Sequence, residues 1–68
     1  MIIYKDVLQK LSDAGYSSYR IRQEKLLPES TLQSLRDGKS ITMDSLNRIC
    51  ELTGCRIEEL IEYKRERD

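Results

Sequence analysis

The sequence predicts a compact all-α fold of five short helices. Leucine and isoleucine recur at helical spacing, glycine or proline interrupts the pattern at intervals, and no stretch alternates apolar and polar residues as a half-buried strand would. The intervening connections are about 3 to 6 residues long, as in a compact helical bundle. With 68 residues the chain is expected to form one domain spanning 1–68. A domain of this size buries only about 60% of the surface its unfolded chain exposes, so its stability margin is thin.

The first helix is expected over residues 3 to 14, where Ile3, Val7, Leu8 and Leu11 form one apolar stripe between Lys5, Asp6, Gln9, Lys10 and Asp13. Gly15 stops it. Ser17 and Ser18 are both candidate N-caps for a short second helix, in which Ile21 points inward. Pro28 suits the first turn of a third helix, where its missing donor costs nothing and its fixed φ fits. Leu32 and Leu35 face inward and Gly38 ends that helix. Thr42 opens a fourth with Asp44 in its first turn, where negative charge complements the helix dipole, and Leu46, Ile49 and Cys50 make its apolar side. Thr53-Gly54 is the next stop. Ile57, Leu60 and Ile61 then give a brief fifth helix before the charged end, residues 64 to 68.

Composition excludes several classes. Charged residues are 35% of the chain and hydrophobic ones 38%, which suits a folded helical domain better than a disordered segment. No run approaches the roughly 20 apolar residues of a membrane span, and the apolar start Met1-Ile2-Ile3 leads straight into Tyr4-Lys5-Asp6, unlike a signal peptide. A cytoplasmic location is expected. Histidine is absent, and Cys50 and Cys55 lack the Cys-x-x-Cys spacing of a zinc or redox site, so neither metal nor cofactor is expected and both thiols should stay reduced. With the usual general base missing and the carboxylates on solvated faces, an enzyme is not expected. No small-molecule ligand is evident.

The third helix is the informative one. Under the i, i+3, i+4 rule, positions 28, 32 and 35 or 36 share a side, and Glu29, Ser30, Gln33 and Ser34 lie opposite. Every member of that outer face can hydrogen-bond. A helix fits the major groove of DNA, where Gln pairs with adenine, Ser with several bases, and Glu accepts from a cytosine amine. A polar outer face is also what any solvated helix shows.

Residues Gly15-Tyr-Ser-Ser-Tyr-Arg-Ile21, Ser30-Thr-Leu-Gln-Ser-Leu-Arg-Asp-Gly-Lys-Ser40 and Ile41-Thr-Met-Asp-Ser-Leu-Asn-Arg-Ile-Cys50 resemble the short Cro and lambda-repressor type helix-turn-helix regulators, and Cys55 to Tyr63 is similar to the last helix of compact bacterial members. The most specific piece is Ser30 to Lys39, since the family shows a similar Ser-Thr-Leu, a leucine three further on, and a turn of the Asn-Gly-Lys or Asp-Gly-Lys kind. The resemblance implies a lambda-repressor-like fold, a supporting helix at about 18–25 and a recognition helix at about 28–37. It implies that Glu29, Ser30, Gln33 and Ser34 face bases, that Ser18 meets a phosphate or simply caps its helix, and that Lys39 lies near the DNA backbone. Arg36 and the basic residues of the second helix are further candidates for phosphate. The chain departs from the family at Arg22, where alanine is common, and at Leu26, where glycine is common in the turn. A longer or differently shaped turn is therefore expected.

Charge argues the other way. The chain carries 12 basic and 12 acidic residues, although Arg20, Arg22, Lys25, Arg36 and Lys39 outnumber Glu24, Glu29 and Asp37 between residues 15 and 40. Glu29 is awkward near phosphates unless a cytosine amine or a neighbouring basic group meets it. The expected function is sequence-specific binding of double-stranded DNA by a bacterial transcriptional regulator, a repressor occupying an operator. A homodimer, at least on DNA, follows from the resemblance. The alternative is a helical protein-interaction module, antitoxin-like or an antirepressor partner, with weak or no DNA binding.

Overall fold

A computed structural model describes residues 1–65, so the last three residues of the expected charged end lie outside the described residues. The element order is β1 (Ile2–Tyr4), α1 (Val7–Asp13), α2 (Ser18–Gln23), α3 (Glu29–Asp37), α4 (Met43–Thr53), α5 (Ile57–Leu60) and β2 (Ile61–Tyr63). The five helices are present, and the expectation of helices alone is corrected by a small sheet. Strands β1 and β2 pair antiparallel with Ile2 opposite Tyr63, Ile3 opposite Glu62 and Tyr4 opposite Ile61. Ile3, assigned by spacing to the first helix, belongs to β1, and Ile61 to β2. Three-residue strands are too short to show alternation, although their isoleucines and tyrosines are good strand formers.

The sheet delays α1. Asp6 takes the left-handed conformation at its N-cap, φ 52°, and the helix begins at Val7. Two lysines complete the other end of the chain. Lys5 Nζ donates to the Glu58 carbonyl at 3.0 Å, and Lys10 Nζ donates to the Lys5 carbonyl at 2.8 Å and to the Glu59 carbonyl. The Glu58 and Glu59 carbonyls of the single-turn α5, which have no helical partners, are thus satisfied by cations, and the last one, of Leu60, accepts the Lys5 backbone N–H at 2.8 Å. At its start the Glu59 carboxylate accepts the Arg56 N–H at 2.9 Å.

Helix α1 ends with the Tyr16 N–H on the Leu11 carbonyl and the Gly15 N–H on the Ser12 carbonyl, Gly15 being left-handed at φ 96°. Helix α2 ends in the same way without glycine. The Leu26 N–H donates to the Ile21 carbonyl at 3.0 Å and the Lys25 N–H to the Arg22 carbonyl at 3.3 Å, with Lys25 left-handed at φ 54°. The unusual backbone of this turn therefore falls on Lys25 and not on Leu26. Leu26 is half-buried and Leu27 is buried, so the turn between α2 and α3 packs both of its leucines against the core.

One cluster forms the core: Val7, Leu11, Ile21, Leu27, Leu32, Leu35, Leu46, Ile49 and Leu60. Leu11, Ile21, Leu32, Ile49 and Leu60 have no measurable exposure, and they come from all five helices. Ile57, expected to face inward, is 51% exposed, because one turn of helix buries a single position and Leu60 takes it.

Lys25 is a place to gain stability. A non-glycine left-handed residue costs about 1–3 kcal/mol, part of which glycine gives back through its greater unfolded-state entropy. Lys25→Gly is expected to stabilise the domain by about 0.5–1 kcal/mol in chemical denaturation. A lower midpoint would show that the lysine side chain stabilises this turn by more than its backbone strains it.

Candidate nucleic-acid interface

Helix α3 is set on the core by Thr31, Leu32 and Leu35, all buried. Pro28 is its exposed N-cap, so Thr31, and not position 28, completes the inner side. The Thr31 hydroxyl lies 3.1 Å from the Ser45 hydroxyl, and Ser45 in turn accepts from Thr42 Oγ1 at 3.1 Å. Thr42 also caps α4 by accepting the Ser45 N–H at 3.1 Å. This chain of three hydroxyls ties α3 to the start of α4, and among the described residues no buried side-chain polar atom lacks a partner. Sequence periodicity missed Thr31 and Ser45, since neither is apolar. A hydroxyl residue on an otherwise inward stripe is the signal that would have found them.

At 100° per residue, burying 31, 32 and 35 turns Ser30, Gln33 and Asp37 to the centre of the opposite face. Glu29, Ser30 and Gln33 are exposed, as expected, while Ser34 lies at the edge and is half-buried. Arg36, grouped by spacing with the inner side or with phosphate contacts, is exposed. Gly38 then ends the helix in the left-handed conformation, φ 72°.

Two of these side chains are already held. The Arg22 Nε lies 2.6 Å from Glu29 Oε2, joining α2 to the first residue of α3. This bond, opposed by partial burial and aided by the charges of Arg22 and Arg36, lowers the Glu29 carboxyl below the usual carboxylate range. The Arg22 guanidinium is raised in turn, chiefly by the same bond. Gln33 Nε2 donates to Asp37 Oδ2 at 2.9 Å. A carboxylate only accepts, so the amide must present nitrogen to Asp37, which leaves Oε1 and the second Nε2 hydrogen for a ligand. One acceptor and one donor are what a two-pronged bond to adenine uses. Asp37 was within reach of the i, i+4 rule. Arg22 was not, because its pairing crosses a turn whose shape the sequence leaves open.

Arg20 is similarly engaged: its Nε lies 2.7 Å from Glu24 Oε2, its Nη1 donates to the Gly15 carbonyl at 3.0 Å, and its guanidinium sits 4.8 Å from the Tyr16 ring centre. Among the described residues, Lys25, Arg36 and Lys39 form no ion pair and are exposed. The Lys39 backbone is fixed at both ends, its N–H on the Ser34 carbonyl at 2.8 Å and its carbonyl accepting from the Tyr4 hydroxyl. Partial burial raises that phenol's pKa. At the start of α2 it is Ser17 that caps, accepting the Arg20 N–H at 3.2 Å. Ser18 is the first helical residue, half-buried, and is not the cap.

Elsewhere the chemistry is sparse. Cys50 and Cys55 are half-buried free thiols, and burial, with lesser help from Cys55 and Glu58, pushes the Cys50 thiol up. Among the described residues no group of three or more acidic or cysteine side chains is placed to hold a metal, and no helix is long and apolar enough to cross a membrane.

The order α2, five-residue turn, α3 is a helix-turn-helix, with a polar α3 face held outward by the core. A family model described as the Cro/C1-type HTH DNA-binding domain matches residues 6–66. The chain belongs to that family of DNA-binding domains. Comparisons with curated proteins and with solved structures gave no match.

The Arg22 bond has a pH signature. A carboxyl lowered on folding adds stability above its unfolded pKa, and that stability is lost as pH falls through the lowered folded value. Carboxyl-detected NMR of the folded domain is expected to show Glu29 titrating below the ordinary glutamate range, and Arg22→Ala to return it upward. An unchanged titration in Arg22→Ala would mean that the pair does not persist in solution.

Proposed function

We propose that this domain is a sequence-specific transcriptional regulator, a repressor that occupies an operator by placing α3 in the major groove. The observation that carries this reading is the pairing of a fully hydrogen-bonding α3 face with unpaired exposed cations, Lys25, Arg36 and Lys39, on and around the same two helices. Membership of a DNA-binding family supports it.

In this reading α2 is the supporting helix and α3 the recognition helix. Gln33 reads adenine with its free acceptor and donor, Glu29, Ser30 and Ser34 meet neighbouring base edges, and Arg36 and Lys39 meet phosphates. Ser18, relieved of capping by Ser17, has a hydroxyl to offer a phosphate at the start of α2. One nine-residue helix makes few base contacts, so two copies related by a two-fold axis, reading half-sites about one helical turn apart, give the required selectivity. The equal numbers of acids and bases do not decide the matter, because Glu24 and Glu29 are paired with arginines and Lys25, Arg36 and Lys39 then outnumber the unpaired Asp37 on and around these helices.

Fluorescence polarisation against a selected operator and unrelated duplexes, over a range of salt, tests the proposal. Gln33→Ala is expected to cost about 1–3 kcal/mol at the selected site with folding intact. Equal affinity of parent and variant would remove Gln33 from the reading set.

Lys39→Ala is expected to act differently. Each neutralised phosphate contributes about 0.9 to the slope of log affinity against log salt, so this variant should lower the slope by about one and weaken all sequences evenly. A parent without DNA binding even at low salt would favour a protein-interaction module.

A further inference from the structure

Arg22 stands on the supporting helix, and its guanidinium is committed to the first residue of α3. We infer that Arg22 is a specificity-determining residue, which fixes the Glu29 carboxylate as the acceptor for a cytosine amine. This rests on the DNA reading above and deepens it.

The geometry supplies the reasons. Glu29 is the first helical residue of α3, the end of a recognition helix that lies nearest base edges. An unaccompanied carboxylate there would be repelled by phosphates on both sides of the groove. Arg22 Nε meets only Oε2, at 2.6 Å, so Oε1 makes no hydrogen bond among the described residues and keeps its lone pairs. Both side chains are about half exposed, at 45% for Arg22 and 61% for Glu29, so the pair is open to a ligand. Cytosine is the base that offers only a donor, its N4 amine, in the major groove, and it is the partner for a fixed acceptor. The two Arg22 Nη groups also form no hydrogen bond among the described residues, so they can meet the adjoining phosphate while Nε holds Glu29.

The surroundings favour the same arrangement. Arg22 lies in the last turn of α2 and Glu29 in the first turn of α3, where each helix dipole favours the charge it receives. Arg36 adds a weaker attraction from one side. The Schellman turn at Lys25 and Leu26, together with buried Leu27, fixes the separation of the two helices and hence the reach of Arg22.

The experiment measures affinities of the whole domain for operator duplexes carrying each base pair at each position, for the parent, Arg22→Ala, Glu29→Gln, Glu29→Ala and the double variant Arg22→Ala/Glu29→Ala. Circular dichroism confirms folding, which alanine in an exposed helical position preserves. The parent should prefer cytosine at one position by about 5- to 100-fold. Glu29→Gln should change that preference, and Arg22→Ala should flatten it at the same position. In a Glu29→Ala background, which removes the acceptor altogether, Arg22→Ala should leave relative preferences unchanged, because the group it positions is gone. A uniform loss over all sequences with a smaller salt slope would make Arg22 a phosphate contact and overturn the inference alone. Unaltered preferences in Arg22→Ala would also overturn it alone. A parent that binds no DNA, or binds all duplexes alike, overturns the proposed function and this inference together.

Discussion

The burial of one side of α3 governs what the molecule presents to its surroundings. Leu32 is fully enclosed and Leu35 and Thr31 nearly so, which fixes the helix in rotation about its own axis. Apolar contacts alone tolerate small rotations, since dispersion and desolvation are not directional. The Thr31–Ser45 hydrogen bond is directional and buried, and a lost partner there would leave a hydroxyl unsatisfied at a cost of about 1–3 kcal/mol. Because Ser45 also meets the cap of α4, the phase of α3 and the start of α4 are set by the same three hydroxyls.

Charge is organised locally. A chain with equal numbers of acidic and basic residues has no overall attraction for a polyanion. The arginines of α2 neutralise Glu24 and Glu29, and three cations nearby remain unpaired. Exposed ion pairs add little to stability. Their effect here is on the distribution of charge, since they compensate Glu24 and Glu29 without using the lysines and leave Asp37 as the uncompensated acid of α3.

The sheet closes a domain whose core is small. Joining β1 to β2 brings the start of the chain against residues 61–63 and places Lys5 and Lys10 over the last carbonyls of α5. Tyr4, on β1, also holds the Lys39 carbonyl, so the loop that follows α3 is anchored to the same closure. A strand of three residues thereby influences a loop 35 positions away.

The sequence by itself determined the five helices and most of the core. Val7, Leu11, Ile21, Leu32, Leu35, Leu46, Ile49 and Leu60 were legible because burial of a helix face repeats at the helical period. Thr42 and Gly38 were legible because caps and stops are local chemistry. The outward position of Glu29, Ser30 and Gln33 followed from the same periodicity. Tertiary structure alone decided the pairing of Ile2–Tyr4 with Ile61–Tyr63, the left-handed backbone at Lys25, and the meeting of Arg22 with Glu29. Each of these depends on how one element approaches another across a turn or across the whole chain. Periodicity records which side of an element is buried, and it carries no information about which charged side chain on a neighbouring element comes within 3 Å of it.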